Sequence, residues 1–280
     1  MLTVQAQTLP EFRGFARRLL AADVPPTAVL WNELEPCLLN AAESFSALPA
    51  ATAAAINVPR RLADLAKVVA CHASPQRFAL LYEALWATVR LRQPLLADPS
   101  HPLTRQLETM AKQVGRDVHK MHAFVRFRPQ QVGNQTVFLA WHRPDHRILT
   151  LAAPFFVNRF RHQLWGIATP EESCSWINPA LHWGPGLPPP EVTPDPVEQL
   201  WRTYYRAIFN PARIKVAMMK REMPTRHWAT LPETADIPAM LTEAPARVAT
   251  MLHDALTSSA RSQQRAARIK ARHTFKPPRE

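Results

Sequence analysis

The 280-residue sequence has few cysteines and few glycines. Its three cysteines, Cys37, Cys71 and Cys174, are scattered and odd in number, which argues against a disulfide framework and against a cysteine cluster for zinc or an iron–sulfur centre. With six glycines and no P-loop motif, a glycine-rich phosphate cradle is excluded. The nucleophile motif G-x-S-x-G and the zinc-protease motif H-E-x-x-H are also missing. This cysteine usage is typical of a reducing cytoplasm.

Long apolar runs are missing as well, and so is a secretory signal. No apolar run reaches the length of a membrane span. The first residues lack the basic region and the apolar core of a signal peptide. A hydrophobic content of 47% indicates a globular protein, long enough for one large or two modest domains. We therefore expect a cytoplasmic protein without a membrane partner.

The charge is strongly basic, with a formal net charge of +12 and an isoelectric point near 10.4. The residues from Arg261 onward carry seven Lys or Arg and one acid, so half of this charge lies there and half in the rest of the chain. Nucleic acid is the partner that such a charge favours, because Lys and Arg release counterions from phosphates. Composition leaves open whether that partner is DNA or RNA.

Apolar periodicity predicts an α+β fold in which a small antiparallel sheet of hairpins packs with helices and a helical C-terminal region follows. Residues 1–35 are predicted as a small strand-helix-strand segment, with strands at 2–4 and 28–31 and a helix at 11–22. Residues 36–57, rich in Ala, Ser and Pro, are predicted as a linker. The main domain is predicted at 58–257, and a disordered basic tail at 258–280.

Within the main domain, helices are predicted at 59–72, 74–92 and 103–122. A hairpin is expected from strands 124–128 and 136–141, with a polar Gly-Asn turn between them. A helix from Asp145 to Phe160 contains Pro154 as a kink, and strands are expected at 164–169, 173–177 and 181–183. After a proline-rich linker at 184–196, further helices are predicted at 197–209, 212–222 and 245–256.

The segment 112–128, KQVGRDVHKMHAFVRFR, carries many basic side chains and a single acid, Asp117. Its first half has helical spacing and its second half alternates as a strand does, so Phe124, Arg126 and Arg128 would share one strand face. Such a surface suits a polyanion, because arginine pairs with phosphate and aromatic rings stack on bases. The alternative is an ordinary solvated face beside the core.

A second basic segment, 201–228, interleaves aromatic and basic residues around an Asn-Pro joint, where free helix N–H groups could bind a phosphate. Aromatic residues at this density are also typical of a core. Together the two segments and the helix before residue 160 give the predicted nucleic-acid-binding set: Lys112, Arg116, Lys120, Arg126, Arg128, Arg159, Tyr204, Tyr205, Asn210, Arg213 and Lys215.

Candidate catalytic residues are Asp117, His119, His122, Asp145 and His146, because a carboxylate near an imidazole can orient it for acid–base work. The alternative for Asp145 is that it caps the helix it opens. His119 and His122 could hold a metal with His142 and His146, but the spacing matches no specific motif, so we predict no metal and no cofactor. Trp141, Phe155 and Phe156 could form a pocket for a flipped base.

Several segments resemble a bacterial family of DNA-metabolism or DNA-repair proteins that contain a domain of unknown function. The resemblance runs from about Val58 to Met251, and the N-terminal LPEFRGFARRLLAADVPP is similar to the leader of fused members. The matching segments are RFALLYEALW (77–86), RDVHKMHAFVRFR (116–128), AWHRPDHRIL (140–149), APFFVNRF (153–160), LWRTYYRAIFNPARIKV (200–216) and EMPTRHWATLPE (222–233).

The resemblance implies a role in DNA repair or modification, with DNA as the ligand. In that family the domain is often fused to a uracil-DNA glycosylase-like domain and encoded beside a radical SAM protein. We expect no glycosylase domain here, because the chain ends at Glu280 without the four cysteines of that domain's iron–sulfur cluster. Three functions remain open: a DNA-binding protein of a repair pathway, an enzyme acting on a flipped base, and a docking partner of a radical SAM or glycosylase-like protein.

Overall fold

The chain forms two compact units, Met1–Pro190 and Glu191–Glu280. The computed structural model describes residues 1–32, 56–190, 215–225 and 231–251, together with residues 202, 203, 206, 210, 228 and 253. In these residues no helix is both long enough and apolar enough to cross a membrane. Most of the predicted linker at 36–57 and the whole basic tail lie outside the described residues.

The N-terminal segment has the predicted strand-helix-strand order. Strands β1 (Leu2–Val4) and β2 (Val29–Trp31) pair in parallel, and helix α1 (Leu9–Ala21) connects them. A capping box starts α1: the Thr8 hydroxyl accepts the Glu11 N–H, and the Glu11 carboxylate accepts the Thr8 N–H. Both bonds satisfy N–H groups that have no partner inside the helix.

Helices α2 (Arg60–Val69), α3 (Arg77–Val89) and α4 (Pro102–Phe124) share a core with this segment. Phe78 of α3 stacks on Phe12 of α1, with ring centroids 5.1 Å apart. Tyr82 is fully buried and donates its hydroxyl proton to the Val24 carbonyl at 2.6 Å. The apolar side of α3, the helix predicted at 74–92, therefore lies in this core.

The predicted strand at 124–128 is wrong, because α4 continues through Phe124 and the next strand, β3 (Arg128–Val132), begins at Arg128. The Arg126 guanidinium donates to the Ala123 and Val125 carbonyls and so caps the end of α4. Phe127 packs on Phe156 and Trp165. The alternating pattern thus comes from a capped helix end and one half-buried ring, and most residues predicted between the two strands are themselves strand.

The main sheet has the order β3-β4-β5-β6-β7, with β4 (Gln135–Trp141), β5 (Leu164–Ala168), β6 (Glu172–Ile177) and β7 (Ala180–Pro185). Strands β4 and β5 are parallel, and the other neighbours are antiparallel. A parallel pair needs a crossover, which α5 (Leu149–Arg159) supplies. The α+β class is confirmed, and the sheet is mixed instead of antiparallel throughout.

One face of this sheet packs on α4 and α5 to form a second core. Ala140, Trp165, Ile167, Cys174 and Trp176 provide the sheet side of that core. Side chains alternate along a strand, so their neighbours point to the opposite face, where Leu139 and Ile177 are 45% and 55% exposed. Because α5 starts at Leu149, Asp145 does not cap it, whereas Pro154 lies inside the helix as predicted.

The second unit is helical in its described parts. Arg202, Thr203 and Arg206 are helical, a short helix spans Val216–Glu222, and a longer one covers 237–251 after a 3-10 turn at Pro232–Asp236. The short helix ends at Glu222, where the helix predicted at 212–222 also ends. The last helix starts eight residues earlier than its predicted start at 245.

Replacing Gly115 by alanine is expected to stabilise the protein by about 0.5–1 kcal/mol, because glycine is costly inside a helix. Gly115 lies in the middle of α4, and an added Cβ would meet no atom within 4 Å. Gly186→Ala should instead destabilise, because its Cβ would fall 2.1 Å from the Pro170 carbonyl oxygen. Urea unfolding followed by circular dichroism measures both changes, and a loss of stability in Gly115→Ala would contradict the expectation.

Candidate functional site

The solvent side of α4 carries a row of cations, which we call the basic face: Arg105, Lys112, Arg116 and Lys120. Lys120 is half-buried, and the other three are exposed. Within the part of the chain that the structure describes, none of the four is paired with a carboxylate. Glu108, an acid of the same helix, binds Arg61 at 3.1 Å. The predicted helical row of Lys112, Arg116 and Lys120 is therefore present, and Arg105 extends it.

Arg126 and Arg128 do not share the predicted strand face. Arg126 is engaged at the end of α4, where its positive charge also complements the helix dipole. Arg128 starts β3 opposite Leu139, so it lies on the sheet face that points away from α4 and α5. The two arginines therefore have different surroundings.

The other predicted binding residues belong to both units. Arg159 is exposed in the last turn of α5, with its guanidinium 5.8 Å from the centroid of the Phe160 ring. Asn210 and Lys215 are exposed residues of the second unit. Tyr204, Tyr205 and Arg213 lie outside the described residues.

Asp117 is a buried carboxylate, only 3% exposed, on the side of α4 that faces the loop between β4 and α5. Its Oδ2 accepts the backbone N–H groups of Asp145 at 2.8 Å and His146 at 2.9 Å. The structure thus brings together three of the five predicted catalytic residues. Asp117 meets the other two through their main chain, which makes it an anchor for the loop.

His146 stacks on His72 from the turn between α2 and α3, with ring centroids 4.3 Å apart. His146 Nδ1 accepts the Ala73 N–H at 3.2 Å, and His72 Nδ1 accepts the Ser74 N–H at 3.0 Å. A ring nitrogen that accepts a hydrogen bond carries no hydrogen, so both rings have their N–H at Nε2. His72 donates its proton to Gln113 of α4 at 2.8 Å. The sequence contains no signal that His72 contacts Gln113 or His146, because both are distant along the chain.

A charged group that sequence reasoning missed lies beside this pair. Arg77 is 5% exposed, donates to the Ser74 carbonyl at 3.1 Å and lies 4.5 Å from the Phe78 ring centroid. Burial, and next the charge of Arg147, lowers the pKa of Arg77. Arg147 pairs with Glu171 and donates to Gln7 at 3.0 Å. The available signal was a charged residue at the start of an otherwise apolar helix.

The described cysteines are buried thiols and not nucleophiles. Burial raises the pKa of Cys71, and it raises the pKa of Cys174 to about 12. Glu172 accepts the Leu149 N–H at 2.9 Å at the start of α5, although burial raises the pKa of its carboxyl. Cys71 and Cys174 are therefore expected to be thiols, not thiolates, at neutral pH.

His119 and His122 have separate surroundings. His119 is exposed, whereas His122 donates from Nε2 to the Ala152 carbonyl at 3.3 Å and stacks on Phe155 at 4.2 Å. Burial lowers the pKa of His122. Across the described ranges, no three His, Cys, Asp or Glu residues are grouped so that they could hold a metal ion.

The three aromatic residues predicted for a flipped-base pocket do not line one cavity. Phe156 is buried in the second core, on the same side of the sheet as Ala140. Trp141 follows Ala140 in β4, so it points to the opposite face, where its Nε1 donates to the Leu187 carbonyl at 2.9 Å. Phe155 is 40% exposed on α5.

In the second unit, two arginines neutralise a buried carboxylate. Asp236 is buried and receives two hydrogen bonds from Arg202, at 2.8 and 2.6 Å, and one from Arg206. These bonds, those from Arg202 foremost, lower the pKa of Asp236 to about 2. Arg202 and Arg206 belong to the basic segment 201–228. Their positive charge is balanced by Asp236 of the same unit.

Asp117→Ala is expected to destabilise the protein by about 2–3 kcal/mol, because it removes the buried acceptor of two backbone N–H groups. Asp117→Asn keeps one carbonyl acceptor and should cost about 1 kcal/mol. Urea unfolding measures both values. Glu83→Gln, on the exposed side of α3, is the control that should leave the unfolding midpoint unchanged. Equal midpoints for all three variants would show that Asp117 does not anchor the loop.

The stabilisation from Asp236 is expected to be complete above about pH 4 and to be lost as the pH falls toward 2. The reason is that its folded pKa of about 2 lies below the ordinary value of 3.8. The carbon-13 shift of the Asp236 carboxyl, followed by NMR, reports this titration, and Arg202→Gln should raise its midpoint. A midpoint near 4 in the unmodified protein would disprove the paired arrangement.

A family model matches residues 75–233, and the family is described as a domain of unknown function, DUF4130. The match covers more than half of the chain and includes α4, the five-stranded sheet and α5. No curated protein and no solved structure matches the sequence. On this match the chain belongs to the DUF4130 family.

Proposed function

We propose that this protein binds DNA through the basic face of α4. The observation that carries the proposal is that Arg105, Lys112, Arg116 and Lys120 follow one helix face without a carboxylate partner among the described residues. A DNA backbone would supply the missing anions, and the release of its counterions would supply the affinity. The net charge of +12 adds a field of the same sign.

The basic face is held on a rigid element. Its helix has 23 residues, and Leu107, Val114 and Met121 are buried on the opposite side. Lys112, Arg116 and Lys120 repeat every four residues, which places them about 6 Å apart along the helix axis. Their backbone geometry is thus fixed before DNA arrives, and only side-chain freedom has to be lost.

The surrounding polar residues support binding more than catalysis. Asp117 binds two main-chain N–H groups through Oδ2, and His72 uses both of its ring nitrogens in hydrogen bonds. The resemblance to DNA-repair proteins supports the same choice. We therefore propose a cytoplasmic DNA-binding role in a bacterial repair or modification pathway, with the backbone as the main contact.

The double variant Lys112→Gln/Arg116→Gln is expected to weaken duplex DNA binding about 10- to 100-fold at 0.1 M salt. It should also reduce the slope of log K against log salt by about two, since each lost phosphate contact removes about 0.9. Fluorescence anisotropy at several salt concentrations measures both quantities. A denaturing gel of the same samples shows whether the strands stay intact.

The matched control is Arg13→Gln/Arg17→Gln. It removes two exposed cations with the same four-residue spacing, from α1. This variant should keep the slope of the unmodified protein. Equal losses in both variants would mean that only total charge matters, and cut strands would favour an enzyme. If no DNA binds at low salt, the docking role with a radical SAM or glycosylase-like protein becomes the better hypothesis.

A further inference from the structure

An exposed aromatic ring lies on α5, which packs on α4, the helix that carries the basic face. Phe155 of α5 is 40% exposed, whereas the next residue, Phe156, is 3% exposed and fills the core. One face of the Phe155 ring is covered by His122 of α4, with centroids 4.2 Å apart and planes 24° apart. The ring is thus fixed in place while a large part of it remains in contact with water.

Given the proposed DNA binding, we infer that Phe155 is a stacking platform for an unpaired base of single-stranded DNA. The inference rests on that proposed function and adds the kind of DNA recognised. A ring that is backed by an imidazole and open to water offers an aromatic surface to a base, and every base has a π-face that can stack.

The charge around Phe155 favours a strand of phosphates over an apolar partner. Arg159 lies one turn further along α5 and is exposed, so it is a neighbour of Phe155 on the helix surface. His119, one turn before His122, is also exposed. From Thr109 to Pro170 the only acids are Asp117, which is buried, and Asp145. A protein partner with an apolar patch would have to neutralise the charge of Arg159, whereas DNA supplies the negative charge itself.

His122 is suited to support the ring. Its Nε2–H is held by the Ala152 carbonyl at 3.3 Å, which fixes the imidazole plane between the two helices. Phe156 contacts the same imidazole edge-on at 5.5 Å. Because the imidazole is immobile, Phe155 loses little freedom when a base stacks on it.

Single-stranded DNA is the ligand because its bases are accessible. In a duplex the bases stack on one another, so a ring on a convex helix surface reaches only the backbone. The basic face serves both forms of DNA, whereas Phe155 serves only the single strand. A change in the basic face should therefore weaken binding of both forms of DNA, whereas a change at Phe155 should weaken only binding of the single strand.

The test compares a fluorescent 20-nucleotide oligothymidine with a 20-base-pair duplex by anisotropy, using the full chain. Phe155→Ala is expected to weaken oligothymidine binding about 5- to 100-fold and to leave duplex binding within twofold. Phe155→Tyr should restore binding, because it keeps the aromatic face, whereas Phe155→Leu should not. Ile177→Ala removes another exposed apolar side chain, on the sheet, and should bind oligothymidine like the unmodified protein.

Unchanged oligothymidine binding in Phe155→Ala would overturn the inference, as would full rescue by leucine or an equal loss on the duplex. Near-ultraviolet circular dichroism of each variant verifies the fold. The proposed function fails separately, since it requires that the unmodified protein bind duplex DNA and that Lys112→Gln/Arg116→Gln weaken it. A protein that binds the duplex normally but shows no effect at Phe155 keeps the first proposal and loses the second.

Discussion

The buried carboxylate of Asp117 fixes the arrangement on which the candidate surfaces depend. It takes the N–H groups of Asp145 and His146, and so ties α4 to the loop that connects β4 with α5. A buried carboxyl group in this position is tolerated because two backbone N–H groups donate to its Oδ2. The loop in turn places His146 on His72 and starts α5 at Leu149. One side chain therefore sets where two helices and a turn meet.

Most of the helical framework could be predicted from the sequence, because its signals are local. The capping box at Thr8 and the apolar stripe of α3 both depend on residues within one or two turns. The structure of residues 124–128 could not be predicted correctly, since Arg126 caps a helix end and Phe127 packs on Trp165, which is distant along the chain. The parallel pairing of β4 with β5 is likewise a tertiary property with no short-range signature.

For the candidate site, the sequence predicted which residues are charged and exposed better than what those residues contact. The row of Lys112, Arg116 and Lys120 follows from helical spacing alone. The role of Asp117 does not, because its partners are main-chain groups about 28 residues away. Arg77 and His72 were missed for the same reason: burial beside Arg147 and stacking on His146 are created only by the fold. Helical spacing thus predicts which charged residues share a surface, whereas their hydrogen bonds and burial depend on contacts between distant parts of the chain.

The five-stranded sheet is open, and proline occurs in both of its edge strands. Pro129 lies inside β3 at one edge, and Pro185 is the last residue of β7 at the other. Proline has no N–H to donate, so neither edge offers an unbroken row of donors to an additional strand. Strand-to-strand association between copies, the usual hazard of an open sheet, is thereby opposed at both edges of the sheet formed by the described residues.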